Sequence, residues 1–252
     1  MQAVAEGTGL KAVAAAHNRR QAIVELAVGY GLILLVLWTP RAWQRVLYAA
    51  PVLWIGFITW RNFSGWASMG MRRKNLFGGS WVVALAVLLA TLSGVVAMRM
   101  GTLHLPGTLG LFLKTYLGYA VWSFVQQMLL VDFFLGRLIQ LLRSKVLAVL
   151  GSAGVFALAH LPNPVLTPLT LVFGVVTCLV FLHYRNLLVL GMTHAILGIC
   201  VACTLPGYVT HNMRVGLGYV DYAPPAEVHR DRTTQMLSTS GWSRGGTSLW
   251  RF

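Results

Sequence analysis

Polar side chains that could take part in chemistry lie within segments that are otherwise apolar. They comprise two adjacent glutamines, one aspartate and three histidines: Gln126, Gln127, Asp132, His160, His183 and His194. Ionisable and amide groups at membrane depth are costly to bury, so they mark functional sites or helix contacts. Histidine can act as a base or a ligand, whereas glutamine has no useful basicity and only forms hydrogen bonds. The set therefore predicts a polar site in which a histidine would have to be the base.

Each of these residues also has a purely structural interpretation. The two glutamines can hydrogen-bond a neighbouring helix. Asp132 can pair with Arg137 or Arg143, or cap the following helix. His183 adjoins Arg185 at the end of an apolar segment, a position typical of the membrane interface.

His160 in "FALAH" and His194 in "GMTHAILG" are instead surrounded by small or apolar residues. Together with the glutamine pair, these two histidines favour one shared site, formed by Gln126, Gln127, His160 and His194.

Metal and cofactor binding find little support in the sequence. A catalytic zinc site has three protein ligands and an open position, and two histidines are too few. On a continuous helix Asp132 would lie about 120–140° away from the glutamine pair, which makes it a poor third partner. Cys200-x-x-Cys203 fits small residues at a helix contact better than a redox or metal pair. We therefore predict no cofactor, with zinc an unsupported alternative and a pigment or haem on His160 or His194 an open one.

The segments that carry these residues indicate an all-α protein. The chain has 252 residues, of which 57% are hydrophobic and 10% charged, against about 25% charged in soluble domains. Seven apolar segments have near-spanning lengths: Ala22–Trp38, Val46–Trp60, Ser80–Ala97, Gly107–Val131, Val146–His160, Val165–Leu182 and Leu187–Leu205. Lipid requires backbone groups to be satisfied within helices. We predict a polytopic transmembrane helix bundle with about seven to eight spans.

The predicted organisation is one bundle with two polar ends. Residues 1–21 form a polar leader, 22–220 the bundle with a core at about 107–205, and 221–252 a polar tail of low complexity. The 36 residues from Gly107 to Leu142 would make a helix about 54 Å long, so it must bend or leave the membrane near Asp132–Gly136. The prolines of "HLPNP" end the next span.

The distribution of positive charge favours a membrane over nucleic acid as the partner. The net charge is +14, but the basic residues lie at the ends of the apolar segments. Eleven occur at alternate boundaries: Lys11, Arg19, Arg20, Arg61, Arg72, Arg73, Lys74, Arg137, Arg143, Lys145 and Arg185. The opposite boundaries hold four: Arg41, Arg45, Arg99 and Lys114. The positive-inside rule then predicts an integral protein of a plasma or inner membrane with a cytoplasmic N-terminus.

Three stretches in order, "QQMLLVDFFLGRL", "GVFALAHL" and "YRNLLVLGMTHAILG", resemble the core of the CPBP family. These are intramembrane proteases related to CAAX prenyl-protein endopeptidases and bacteriocin-processing enzymes. The resemblance covers about residues 60 to 205. It implies that a first-motif glutamate and the second-motif histidine activate water, while the last histidine and its Asn or Asp stabilise the oxyanion.

Four positions of this chain depart from the family motifs. Gln126 and Gln127 stand where the family has glutamates, Val131 stands at its arginine, and Gly198 stands at its Asn or Asp. Phe156 and His160 match the second motif, and His194 matches the third. These departures favour a catalytically degenerate protein that binds or stabilises a membrane partner. In the polar tail, Trp242, Trp250 and Phe252 are candidate anchors for that partner. The alternative is an endopeptidase that cleaves prenylated or other membrane-associated peptides by a variant mechanism, with His160 alone as the base.

Overall fold

A computed structural model describes residues 2–71 and 76–223, with the side chains of residues 2–17 outside that description. These ranges form helices and connecting turns, which confirms the all-α prediction. The helices are α1 Gln2–Leu37, α2 Arg41–Leu47, α3 Ala49–Arg61, α4 Leu76–Met100, α5 Leu109–Met128, a π-helical segment Leu129–Phe134, α6 Leu135–Leu141, α7 Lys145–Leu158, α8 Leu166–Tyr184, α9 Leu187–Thr204, α10 Gly207–Thr210 and α11 Leu217–Val220.

Each of the seven predicted apolar segments falls on a helix. Five helical stretches are long and apolar enough to cross a bilayer: Asn18–Leu37, Leu76–Met100, Leu109–Leu141, Leu166–Tyr184 and Leu187–Thr204. The chain is therefore an integral membrane protein. Helices α3 and α7, with 13 and 14 residues, measure only about 20 Å and pack within the bundle without matching its full thickness.

Helix α1 extends from Gln2 to Leu37, so one helix includes residues of the predicted leader and most of the first apolar segment. The segment Val46–Trp60 is divided at Tyr48, where α2 ends and α3 begins. The tail residues Trp242, Trp250 and Phe252, which the sequence suggested as anchors, lie outside the described residues.

Contacts in the loops and at the ends of the helices define two ends of the bundle. At one, which we call the Arg185 end, the backbone N–H of Leu187 donates to the Gly70 carbonyl at 2.9 Å, and Trp81 Nε1 donates to the Tyr184 hydroxyl at 3.0 Å. At the other, the Arg214 end, Gly216 N–H donates to the Leu161 carbonyl at 2.7 Å. Helices α1, α4 and α9 each run from the Arg185 end to the Arg214 end, while α5 and α8 run back.

The long central helix changes its hydrogen-bonding pattern where the sequence predicted a bend. The π-helical segment Leu129–Phe134 joins α5 to α6 within one helical stretch, Leu109–Leu141. The next helix, α7, ends at Leu158, and "HLPNP" forms the turn that leads to α8. Asn163 stabilises that turn, because its side-chain oxygen accepts from Val165 N–H at 3.1 Å and Leu166 N–H at 3.0 Å.

A buried ion cluster attaches α1 to the core. Glu25 is 5% exposed, and its carboxylate accepts from Arg137 Nε at 2.9 Å and from the guanidinium of Arg61. The guanidinium of Arg137 also lies 4.2 Å from the ring centroid of Phe133. The predicted pairing of Asp132 with Arg137 or Arg143 is therefore wrong for the described residues. The Arg137 side chain donates to Glu25 of α1, and its contact with Asp132 is to the backbone carbonyl and not to the carboxylate.

Candidate functional site

The site is formed where α5 and α9 approach closely. Two glycines on α9, Gly191 and Gly198, face the aromatic side chains of Phe124 and Tyr119 on α5, and a Cβ atom at either glycine would clash with them. Small residues at a helix contact let two membrane helices come together in this way. The contact places Gln127 of α5 directly beside His194 of α9.

Gln127 and His194 form a hydrogen bond within the protein. Gln127 is fully buried and His194 is 7% exposed, and the distance from Gln127 Nε2 to His194 Nδ1 is 3.1 Å. An amide nitrogen only donates, so Nδ1 of His194 accepts and the proton of the neutral ring lies on Nε2. The remaining amide oxygen of Gln127 is buried and has no hydrogen-bond partner among the described residues.

His160 is held by the end of its own helix. Its Nδ1 lies 2.8 Å from the carbonyl oxygen of Phe156, four residues earlier. This carbonyl belongs to the last turn of α7, where backbone acceptors lack helical partners. The carbonyl only accepts, so His160 carries its proton on Nδ1 and directs an unprotonated Nε2 elsewhere. In this chain the spacing Phe-x-x-x-His therefore places the histidine where its ring can bond the backbone carbonyl of the phenylalanine.

The ring of Phe156 lies between the two histidines. Its centroid is 4.8 Å from that of His160 and 6.1 Å from that of His194, in edge-to-face geometry. Phe173 of α8 packs against His194 from another side, at 5.0 Å. The second and third motifs of the sequence therefore meet through one aromatic side chain.

A large cavity runs beside these residues. Its volume is about 1410 Å³, and its lining includes Gln126, His160 and His194. Gln127 is fully buried next to His194 and does not line the cavity. Val52, Leu85 and Val172 also line it and are 65%, 44% and 65% exposed. Exposed apolar side chains in a membrane bundle face lipid, so the cavity opens sideways toward the hydrocarbon. Three of the four predicted site residues thus line this cavity, and the fourth, Gln127, bonds to His194.

Tyr119 is a site residue that the sequence interpretation missed. It lines the cavity, and its hydroxyl oxygen overlaps the position that a Cβ atom at Gly198 would occupy. Gly198 is the position at which the family motif has Asn or Asp, so a phenol hydroxyl occupies the space of the missing side chain. A tyrosine in an apolar helix gives no signal by itself. The sequence feature that could have pointed to Tyr119 is the glycine at the motif position, because it leaves room for a side chain from another helix.

Other polar residues named from the sequence lie away from this centre. Val131, at the position of the family arginine, is buried in the apolar core formed with α6, α7, α8 and α9. Asp132 is half-buried on the π-helical segment. His183 is exposed at the end of α8, and its ring meets that of Tyr184 edge to face, with 4.5 Å between the centroids. None of these three lines the cavity.

The described residues are a poor donor set for a metal. They contain no group of three or more histidine, cysteine or acidic side chains that could hold an ion, and the two histidines have amides, not carboxylates, beside them. Cys203 Sγ contacts the Tyr116 hydroxyl at 3.2 Å, and Cys200 Sγ lies 3.9 Å from the Ala90 carbonyl. The cysteines thus contact two different helices, as expected for packing residues.

The fold and the site together are those of a polytopic integral membrane protein with a buried polar site between its helices. Residues 108–200 match the family model described as Rce1-like, type II CAAX prenyl endopeptidase. This confirms the CPBP resemblance, and the matched segment begins at the N-cap of α5 and ends within α9, which includes all three motifs. No curated protein and no solved structure matches the chain.

Proposed function

We propose that this protein is a catalytically inactive CPBP-type membrane protein that binds a membrane partner without cleaving it. The observation that carries the proposal is the 3.1 Å hydrogen bond from Gln127 Nε2 to His194 Nδ1. Where the family has a carboxylate that can take a proton from water, this chain has an amide that donates to the third-motif histidine.

The bond leaves His194 unable to act as a base. Its Nδ1 lone pair is occupied by the amide, and its Nε2 carries the ring proton. Gln126 offers no basic group either. General-base catalysis contributes about 10²–10⁴-fold to hydrolysis, so the loss of both glutamates removes most of that factor. His194 Nε2 instead becomes a hydrogen-bond donor.

The same arrangement suits a binding role. The cavity has apolar walls that open toward lipid, and its polar centre consists of neutral donors and acceptors. An apolar partner segment could enter from the membrane and use its backbone groups to bond Gln126 and His194. Such bonds are available only to a partner that brings matching groups, because unmatched polar groups are costly in lipid. Trp242, Trp250 and Phe252 remain proposed anchors for the same partner.

One observation supports the alternative of a hydrolase. Because His160 Nδ1 donates to the Phe156 carbonyl, its Nε2 lone pair is unprotonated in the neutral ring. His160 lines the cavity, so this nitrogen could take a proton from a bound water. The chain would then cleave membrane-associated peptides with His160 as its only base.

A cleavage assay on the full chain in proteoliposomes separates the two functions. The substrates are a prenylated peptide and an unmodified membrane peptide, and the proteins are wild type and His160→Ala. We expect no turnover above that of empty vesicles for either protein. Robust wild-type cleavage that disappears in His160→Ala would overturn the proposal in favour of the hydrolase.

Partner binding is tested by photo-crosslinking from two adjacent positions of α4. Leu89 lines the cavity, whereas its neighbour Leu88 does not, although both are exposed, at 45% and 53%. A photoreactive residue at Leu89 should crosslink a defined membrane protein that the same residue at Leu88 does not capture. Equal products from both positions would show that the crosslinks report only general membrane proximity.

A further inference from the structure

The cavity has a charged end that the intramembrane site does not explain. Arg41 and Arg214 line it at the Arg214 end, and they are its only charged side chains among the described residues. Both also line an adjoining cavity of about 90 Å³, which includes Asp221. Neither arginine forms an ion pair with a described residue. Two cations that pair with no carboxylate among the described residues, next to an apolar cavity, favour a ligand that supplies an anion.

Both arginines are held in place by neighbouring groups. Gln44 joins α2 to the end of α1, because its Nε2 donates to the carbonyls of Val36 at 3.1 Å and Thr39 at 2.9 Å, and this fixes the turn that presents Arg41. The backbone carbonyl of Arg214 accepts from buried Asn163 at 3.0 Å. Its guanidinium lies 5.0 Å from the ring centroid of Tyr222. Burial and the nearby Arg41 guanidinium both lower the pKa of Arg214, which indicates that the two cations repel each other.

The surroundings place this pair at a membrane surface. Trp38 and Trp43 flank Arg41 in the chain and are 47% and 66% exposed. Exposed tryptophans at the ends of spans are typical of the interface, where lipid headgroups lie. From there the cavity extends along apolar walls to His160 and His194, and it opens sideways at Val52, Leu85 and Val172.

We propose that Arg41 and Arg214 bind the phosphate of an anionic membrane lipid whose acyl chain occupies the cavity. Guanidinium groups pair with phosphate through two parallel hydrogen bonds, which suits a pair of arginines better than a single surface charge. Basic pockets between membrane helices recognise lipid headgroups in this way. The lateral opening admits the acyl chain directly from the bilayer. This inference holds whether or not the site at His160 hydrolyses peptides.

Lipid binding is tested on the purified full chain by native mass spectrometry. The probes are phosphatidylglycerol and phosphatidylcholine with identical acyl chains. The proteins are wild type, Arg41→Gln, Arg214→Gln, the double variant, and Arg45→Gln as a matched control. Arg45 lies on the same helix as Arg41 but lines neither cavity. We expect wild type to prefer phosphatidylglycerol, each substitution to weaken this binding about fivefold, and the double variant to weaken it about 25-fold.

Three results would overturn the proposal. They are equal binding of the two lipids by wild type, an effect of Arg45→Gln as large as that of Arg41→Gln, and unchanged binding in the double variant. A second measurement needs no substitution: phosphatidylglycerol should raise the Tm of wild type, whereas phosphatidylcholine and inorganic phosphate should not. An equal rise with inorganic phosphate would identify a site for free anions and exclude the lipid. If the glutamine variants fail to fold, the Tm measurement decides.

Discussion

The hydroxyl oxygen of Tyr119 overlaps the point that a Cβ atom would occupy at Gly198. A side chain at residue 198 and a phenol at residue 119 therefore exclude each other. The third motif of the family and this tyrosine are alternative ways to fill one space between α5 and α9. Gly198 therefore leaves no gap in the site, because the Tyr119 hydroxyl fills the space beside it.

Gly198→Ala is therefore expected to destabilise the protein. The methyl group would force Tyr119 to move, and overpacking of this kind costs about 1–3 kcal/mol. Tyr119→Ala should relieve the clash, so the double variant should lose less stability than the sum of the two single variants. Thermal unfolding in detergent of the four proteins measures this coupling. Gly94→Ala is the control, because its Cβ meets open space, and it should gain about 0.5–1 kcal/mol of helix stability.

The tautomer of His194 is expected to depend on residue 127. In wild type the amide donates to Nδ1, so the ring proton should be on Nε2. In Gln127→Glu a carboxylate can only accept, and the proton should move to Nδ1. Nitrogen-15 NMR of histidine-labelled protein distinguishes the two forms, with the His194 signals assigned from a His194→Gln sample. A proton on Nδ1 in wild type would mean that the amide oxygen faces the ring, and it would remove the main support for an inactive site.

The contribution of the buried ion cluster should differ between its two arginines. The side chain of Arg137 is 11% exposed and that of Arg61 is 42% exposed. Arg137→Gln leaves Glu25 with less compensation inside the protein and should cost about 3–5 kcal/mol. Arg61→Gln should cost about 1 kcal/mol or less, because solvent already screens that pair.

Unfolding measurements on Glu25→Gln, Arg137→Gln and their double variant test this interpretation of the cluster. The double variant should be more stable than the sum of the two single losses predicts. Strict additivity would show that the two groups act independently. Arg99→Gln, an exposed substitution at the end of α4, provides the baseline for removing a surface charge.

The orientation in the membrane is tested by cysteine labelling. In a background without Cys178, Cys200 and Cys203, we expect Asn62→Cys to be protected from an impermeant maleimide in intact cells. Thr108→Cys should react, because it lies toward the Arg214 end, which the charge distribution places outside. Both positions are exposed in the structure. Labelling with the reverse pattern would invert the orientation and contradict a cytoplasmic N-terminus.

The helices and the order of the motifs could be predicted from the sequence. A chain that spans a membrane must form helices in nearly all its lipid-exposed segments, and the apolar stretches show where those helices lie. The partners of the polar groups could not. Asp132 and Arg137 are close in the chain and look like a pair, but Arg137 bonds Glu25, which is 112 residues away. Tyr119 was missed for a similar reason, since its role depends on how closely α5 and α9 approach. Such pairings depend on how the helices pack against one another. A single sequence shows the residues but not which of them are in contact.

The π-helical segment between Gln127 and Arg137 has a consequence for how this chain can vary. A π-helical turn accommodates one residue more than an α-helical turn, so it behaves as a tolerated insertion in an otherwise regular helix. Removal of one residue from Leu129–Phe134 would let the α-helix continue, but it would rotate everything after that point by about 100°. Arg137 would then turn away from α1 while Gln127 stayed beside His194. The two halves of this helix are therefore in different registers, and an alignment of related chains should place a one-residue gap between them.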